Sequence, residues 1–296
     1  MLANYRRNLE QWQEPYRDCA RDELAQALGT AYYHSAIFTV GTYLLNPATL
    51  VRGLADTLPA NVRIFEQSPV IRCDFSGDEK IVYTPTGSIR CGAVIIAVNS
   101  FLSTFGLYRW RQVPMALYAT LSEPLSDREM AQLGSVRNWG ITPAHGTVGV
   151  TLRLTADRRL LSRHGFRYSP KLREQLSDIK QVQQSHLAML GKRFPQIQAT
   201  AAHTWQGWLP ISHNHMPIFC EAQPHVFVVS CCNGAGLVRH SAAGKLIADQ
   251  ALGIDNPDIR TYLAGGQASL LPPRPLLDIG VHLSAAWQLW RGRREQ

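Results

Sequence analysis

The stretch Val226-Phe227-Val228-Val229-Ser230-Cys231-Cys232-Asn233-Gly234-Ala235-Gly236, followed by an apolar periodic run from Leu237 to Leu252, reads as strand, glycine turn and helix. A strand that feeds a glycine turn opening a helix points backbone N–H groups and the positive helix end at an anion. A tight strand-to-helix turn with no ligand reads the same way when the stretch is taken alone. The dinucleotide fingerprint G-x-G-x-x-G occurs nowhere in the 296 residues. Arg239 stands where a third glycine would follow Gly234 and Gly236, and no βαβ unit with a ribose-binding acid comes after it.

Upstream, Ala93 to Val98 is a second continuous apolar run, as expected of a strand buried on both faces of a parallel sheet. Before it, Val62–Phe65, Val70–Phe75 and Lys80–Thr84 read as short strands, with Gly77-Asp78 and Pro85-Thr86-Gly87 as turns. Residues 1–29 read as helical, ending at Gly29. Residues 30–46 read as irregular, and Pro47 opens a helix to about Leu58. Strand-like alternation covers 113–155, including 147–154. A helix is expected over 170–194, a strand over 199–208 and a last helix over 276–291.

Composition bounds the function. The length suggests about two domains. The net charge of +8 and pI near 9.4 invite a nucleic-acid reading. The basic residues are scattered, however, except for Arg291, Arg293 and Arg294, so no nucleic-acid partner is expected. A basic surface equally suits anionic cofactors, substrates or lipid headgroups. The six cysteines have no C-x-x-C spacing, and Cys231-Cys232 follow an apolar run, which reads as reduced core thiols. His213, His215 and Cys220 lack a further ligand at a sensible spacing, so no metal is expected. No signal-like leader and no run of eighteen apolar residues is present, which makes a cytoplasmic location the default expectation. G-x-S-x-G is absent, leaving hydrolase chemistry without a warrant.

Five segments in register resemble the FAD-dependent amino-acid and amine oxidoreductases of the D-amino-acid-oxidase-like group, nearest to gamma-glutamylputrescine oxidoreductases. They are Asp22 through Leu50, Val62 through Val98, Leu152 through Leu161, Trp205 through Gly253, and Gly265-Gly266 with Pro273-Arg274-Pro275-Leu276. The resemblance implies an α/β fold: an incomplete Rossmann-like FAD-binding domain lacking its first βαβ, with an inserted, mainly antiparallel substrate domain. The implied division is 1–46 for a helical entry, 47–100 with 205–265 for the FAD-binding parts, 101–204 for the substrate domain and 266–296 for a tail. Three departures stand out. Asn99 sits where glycine is usual, and Asn214 replaces the usual acid before Pro217. Ser162-Arg163-His164 occupies positions that are small glycines near the flavin in the family.

The resemblance carries FAD as cofactor, with Val70, Ala97, Gly234, Ala235, Gly236 and Leu237 as contacts. A core-strand role explains Val70 and Ala97 equally well. His34, Tyr33 and Arg153 are substrate candidates. Arg153 would pair with a carboxylate, while an arginine on an alternating strand also reads as a solvated face, and an aromatic cluster reads as packing. The implied reaction is oxidation of a C–N bond in a small amine or amino acid. The competing function is a non-catalytic relative with a binding role. A glycine loop contributes charge-assisted bonds of about 1.5–3 kcal/mol each. Two or three such bonds amount to roughly a hundred- to million-fold in affinity. The expectation is therefore weak FAD binding unless another chain supplies that segment. Leu283, Trp287 and Trp290 form an apolar stripe at helical spacing. It would pack on its own domain or lie on an anionic membrane surface.

Overall fold

The computed structural model describes residues 2–146, 148–174 and 176–295; Thr147 of the expected 147–154 strand and Gln175 of the expected 170–194 helix lie outside that set. The chain begins with α1 (Leu2–Gln11), β1 (Tyr16–Ala20), α2 (Arg21–Leu28), β2 (Ser35–Thr39) and α3 (Pro47–Asp56). β3 (Arg72–Asp74), β4 (Lys80–Thr84), β5 (Gly87–Cys91) and β6 (Val94–Ile96) follow, then a 3-10 helix (Asn99–Phe105) and β7 (Val113–Ser122). Next come α4 (Asp127–Gln132), β8 (Gly140–Ile141), β9 (Thr151–Leu154), β10 (Leu160–Tyr168) and α5 (Leu176–Arg193). The chain continues with β11 (Ala201–Ile211), β12 (Ile218–Gln223), β13 (Val226–Ser230), α6 (Gly236–Ala251), α7 (Pro257–Ala264) and α8 (Leu276–Gly292).

Two sheets position the site. The first is three-stranded in the order β12-β13-β6, with β13 and β6 parallel and Val226 opposite Val94, Phe227 opposite Ile95 and Val228 opposite Ile96. Every residue of β13 is buried. Val226 and Val228 pack with Ile96, Leu102 and Ile218 on one face, while Phe227 and Val229 pack with Ala243, Leu246 and Ile247 of α6 on the other. This is why the run is apolar without alternation. β6 forms the edge, and Ile95 is 44% exposed. Val62, Ile64, Phe65 and Ile71 are also exposed, and no side chain of α3 is buried.

The second sheet is antiparallel in the order β11-β7-β10-β9-β8. Leu152, Leu154 and Leu160 face a core shared with Leu24 and Leu28 of α2 and with Leu190 of α5 and Phe194 just beyond it. β11 crosses the boundary expected near 204/205 by pairing with β7 along its whole length. The mixed α/β architecture with an antiparallel sheet agrees with the fold class read from the sequence.

Local readings fared unevenly. Asn46 caps α3 by accepting from the Ala48 and Thr49 amides, with Pro47 at its first turn. Gly29 ends α2 in the left-handed region, as its position after Leu28 suggested. The N-terminal segment is not helical throughout: Tyr16–Ala20 is a strand paired with Ser35–Thr39, a segment expected to be irregular. Both strands alternate only weakly in hydrophobicity, and it is the pairing itself that makes them strands. Val62–Phe65 is not a strand, and the expected strands at 70–75 and 147–154 shrink to Arg72–Asp74 and Thr151–Leu154. β12, α4 and α7 carry no strong period and were not anticipated.

Candidate functional site

β6 and β13 run parallel, so their C-terminal ends open at the same side of the sheet, the side at which parallel α/β sheets bind ligands. Ala97 leaves β6 there and is exposed. β13 leaves through Cys231, Asn233 and Gly234, all with positive φ of 64°, 50° and 82°. Asn233 braces this turn. Its Nδ2 donates to the carbonyls of Cys231 at 3.0 Å and Met216 at 3.2 Å, and its Oδ1 accepts from the Ser212 amide at 2.8 Å. α6 then starts at Gly236 behind Ala235, and no side chain caps it. Its first-turn N–H groups and positive end are therefore available to an anion.

Asn99 closes the arrangement from the β6 side. It holds φ 47°, a left-handed value that glycine or asparagine tolerates. Its carbonyl accepts from Gln112 Nε2 at 3.1 Å, and the Ser230 hydroxyl lies 2.9 Å from that same carbonyl and 2.9 Å from Gln112 Oε1. Gln112 and Ser230 are buried. Burial pushes the Cys231 thiol up to about 12, so it stays a thiol. No sequence pattern singled out Gln112 or Ser230; the left-handed potential of Asn99 was the readable signal.

The antiparallel sheet lies beside this turn. A β-carbon at Gly234 would sit 3.9 Å from Leu209 Cδ2 of β11. Four residues along the same face, about 13 Å away, is Trp205. Trp205 pairs across to Ala119, Ala119 to Arg163, and Arg163 to Thr151. Leu161 and Arg153 form the adjacent pair on that face. Arg163 donates to Thr151 Oγ1 at 3.1 Å and to the Gly146 carbonyl at 3.4 Å. Arg153 donates to the Ile141 and Leu152 carbonyls at 2.8 Å each. Its side chain crosses Gly140, where a β-carbon would come within 2.8 Å of Arg153 Cδ. Burial lowers both guanidinium pKa values, and for Arg153 the Arg163 charge adds to the effect. Among the described residues, no carboxylate lies within ion-pair distance of either. Diagonal neighbours on a sheet stand about 7–8 Å apart.

The other sequence candidates fall elsewhere. Tyr33 packs with the Leu152–Leu154–Leu160 core, the face opposite Arg153, and burial raises its phenol to about 12. His34 is exposed. Val70 lies exposed just ahead of β3. Leu237 is partly exposed in the first turn of α6. Asn214 acts as a brace, donating to the Gln267 carbonyl at 2.8 Å and accepting from the Ser269 amide at 3.1 Å.

These residues fit one end of FAD. An uncapped helix end beside a left-handed glycine suits the electron-rich edge of a flavin ring, and exposed Ala97 leaves room beside it. Among known proteins, the chain is 27% identical to a probable oxidoreductase OrdL of Haemophilus influenzae over 79% of this chain and 53% of that protein. It thus spans about half the length of the curated relatives it matches. The fold is similar to glycine oxidase from Geobacillus kaustophilus (TM-score 0.72, 16% identity, 86% of this chain and 68% of that one). It is also similar to L-proline dehydrogenase from P. horikoshii (TM-score 0.65, 16% identity, 88% and 72%). The model of the DAO family, described as FAD dependent oxidoreductase, matches residues 1–250, and the chain belongs to that family.

Proposed function

We propose that this chain forms the substrate-binding part and the flavin-ring end of an FAD-dependent enzyme that oxidises a C–N bond in a small amine or amino acid. The observation that carries this reading is the uncapped N-terminus of α6 behind left-handed Gly234, set against the β11 face of the antiparallel sheet. FAD, when bound, supplies the acceptor for the two electrons lost as the substrate C–N bond becomes C=N. The residues of the chain do the rest. The first-turn N–H groups of α6 stabilise negative charge at the ring edge. Asn99 and Asn233 fix the two loops that carry that edge. The Trp205 face holds the substrate opposite, and Arg153 is the candidate for its carboxylate. The likeness of Gly265-Gly266 and Pro273–Leu276 to the gamma-glutamylputrescine subgroup supports an amine of that general size. We further propose that a glycine-loop segment outside these 296 residues anchors the pyrophosphate, the open β6 edge being where a further parallel strand would add.

Titration of the chain with FAD, followed by quenching of flavin fluorescence, tests this. A dissociation constant above micromolar is expected for the chain alone, tightening at least about a hundred-fold when a glycine-loop segment is supplied. Sub-micromolar binding by the chain alone would remove the need for that segment. No binding with the segment present would remove FAD.

A further inference from the structure

Arg163 and Arg153 are two desolvated cations on one sheet face, and neither is neutralised by the protein. A lone strand arginine on a solvated face needs no anion, but these two are only partly exposed and are immobilised. Arg153 is held by two carbonyls and by contact with Gly140, with Leu44 beside that glycine, and Arg163 by Thr151 and the Gly146 carbonyl. All four partners are neutral oxygens, so each guanidinium keeps both its charge and donors for a ligand. The nearby Glu295 carboxylate accepts from the His145 amide at 3.0 Å instead. The two arginines stand as diagonal neighbours on one sheet face, close enough for the Arg163 charge to act on Arg153, so one ligand with two carboxylates can answer both. They lie on the face that begins at Leu209 beside the glycine turn, with Trp205 between and 42% exposed.

We infer that Arg163 and Arg153 form a two-point anion site selecting amines that carry two carboxylates. The inference rests on the proposed function and narrows its substrate class. It makes Arg163 a specificity-determining residue.

Isothermal titration of the 296-residue chain without FAD, at fixed ionic strength, tests this site separately from flavin binding. The probes are glutamate and glutamine, each as the racemate, which differ by one carboxylate. Glutamate is expected to bind at least ten-fold more tightly. Arg163→Gln should reduce that preference to near unity, and Arg163→Lys should restore part of it, because the charge returns without the planar fork. Circular dichroism melting checks folding, and if Arg163→Gln is unfolded, Arg163→Lys and Arg153→Gln carry the comparison. Equal binding of the two probes, no binding of either, or displacement of glutamate by inorganic sulfate at matched concentration would overturn the inference. If glutamate selectivity is present but FAD does not bind even with the glycine-loop segment supplied, the oxidoreductase reading fails and the dicarboxylate site stands.

Discussion

Asn99 and Cys232 meet across the two loops that leave the adjacent parallel strands. Asn99 Oδ1 accepts from the Cys232 amide at 3.4 Å, and Asn99 Nδ2 lies 3.4 Å from Cys232 Sγ. Both contacts are long, so each is weak. Their value is positional, because they tie the exit of β6 to the turn that opens α6.

Replacing Asn99 tests that tie. Asn99→Leu loses two cross-loop contacts, at about 0.5–1.5 kcal/mol each, and adds left-handed strain of roughly 1–2 kcal/mol. A loss of about 2–5 kcal/mol in urea unfolding is expected. Asn99→Gly keeps the backbone freedom and should lose less. If Asn99→Leu matches the parent protein, the clamp has no energetic role.

Legibility followed burial. β13 was readable because both its faces are covered, which leaves an unbroken apolar run; β6 carries a similar run although its Ile95 is exposed. α3 was readable because Asn46 and Pro47 mark its start. β1 and β2 were not, since each strand is half-exposed and exists through its partner. At the site, the glycines gave the turn and the resemblance gave its cofactor. Gln112 and Ser230 were invisible, because a buried polar link between positions 118 residues apart leaves no local period. Arg163 stood out in the sequence only as a departure within the family resemblance. Only the cross-strand register shows it sharing a face with Arg153.

The glycines of the turn differ in what they require. Gly234 holds φ 82° and Gly236 does not have a positive φ, so backbone strain belongs to Gly234. Gly234→Ala should destabilise the protein by about 1–2 kcal/mol. A β-carbon at Gly236 would lie 3.1 Å from Cys232 Cβ, so Gly236→Val crowds that side chain and moves the first turn of α6. Weaker FAD quenching is expected for Gly236→Val than for the parent. Unchanged flavin affinity would separate this turn from the cofactor.

His186 gives a pH prediction. It is buried, with Nδ1 2.8 Å from Thr120 Oγ1 and Nε2 3.0 Å from the His164 carbonyl. That pairing suits a neutral ring whose Nε2–H donates to the carbonyl while Nδ1 accepts the hydroxyl proton. Burial lowers the pKa of His186, His164 and His240. Below pH 6.5 the unfolded chain binds more protons than the folded one, so stability present above that pH is lost as pH falls toward the folded values. Each histidine contributes at most about 1.4 kcal/mol per pH unit. The urea midpoint should hold from pH 8 to 7 and fall between 6.5 and 5. His186→Gln should flatten that fall while destabilising the protein at pH 7.5 by roughly 1–3 kcal/mol. An equally steep fall in His186→Gln would remove His186 as a contributor.

α8 packs through Leu277 and Val281 against Val113, Met115, Phe166 and Tyr168, and Gly292 fits beside Val148. The stripe of Leu283, Trp287 and Trp290 is not part of that packing; the three are 67%, 49% and 60% exposed. Arg291 stacks over Trp287 at 4.5 Å and Arg293 over Trp290 at 5.3 Å. Among the described residues no helix is long and apolar enough to cross a membrane. A helix with tryptophans and arginines on one exposed face suits an interface with anionic lipid. Co-sedimentation with vesicles containing phosphatidylserine should exceed that with neutral vesicles and weaken with salt. Leu283→Glu with Trp287→Glu should abolish it at an unchanged melting temperature, because neither side chain supports the core. Equal sedimentation of parent and variant would end the lipid reading and leave the stripe to a protein contact.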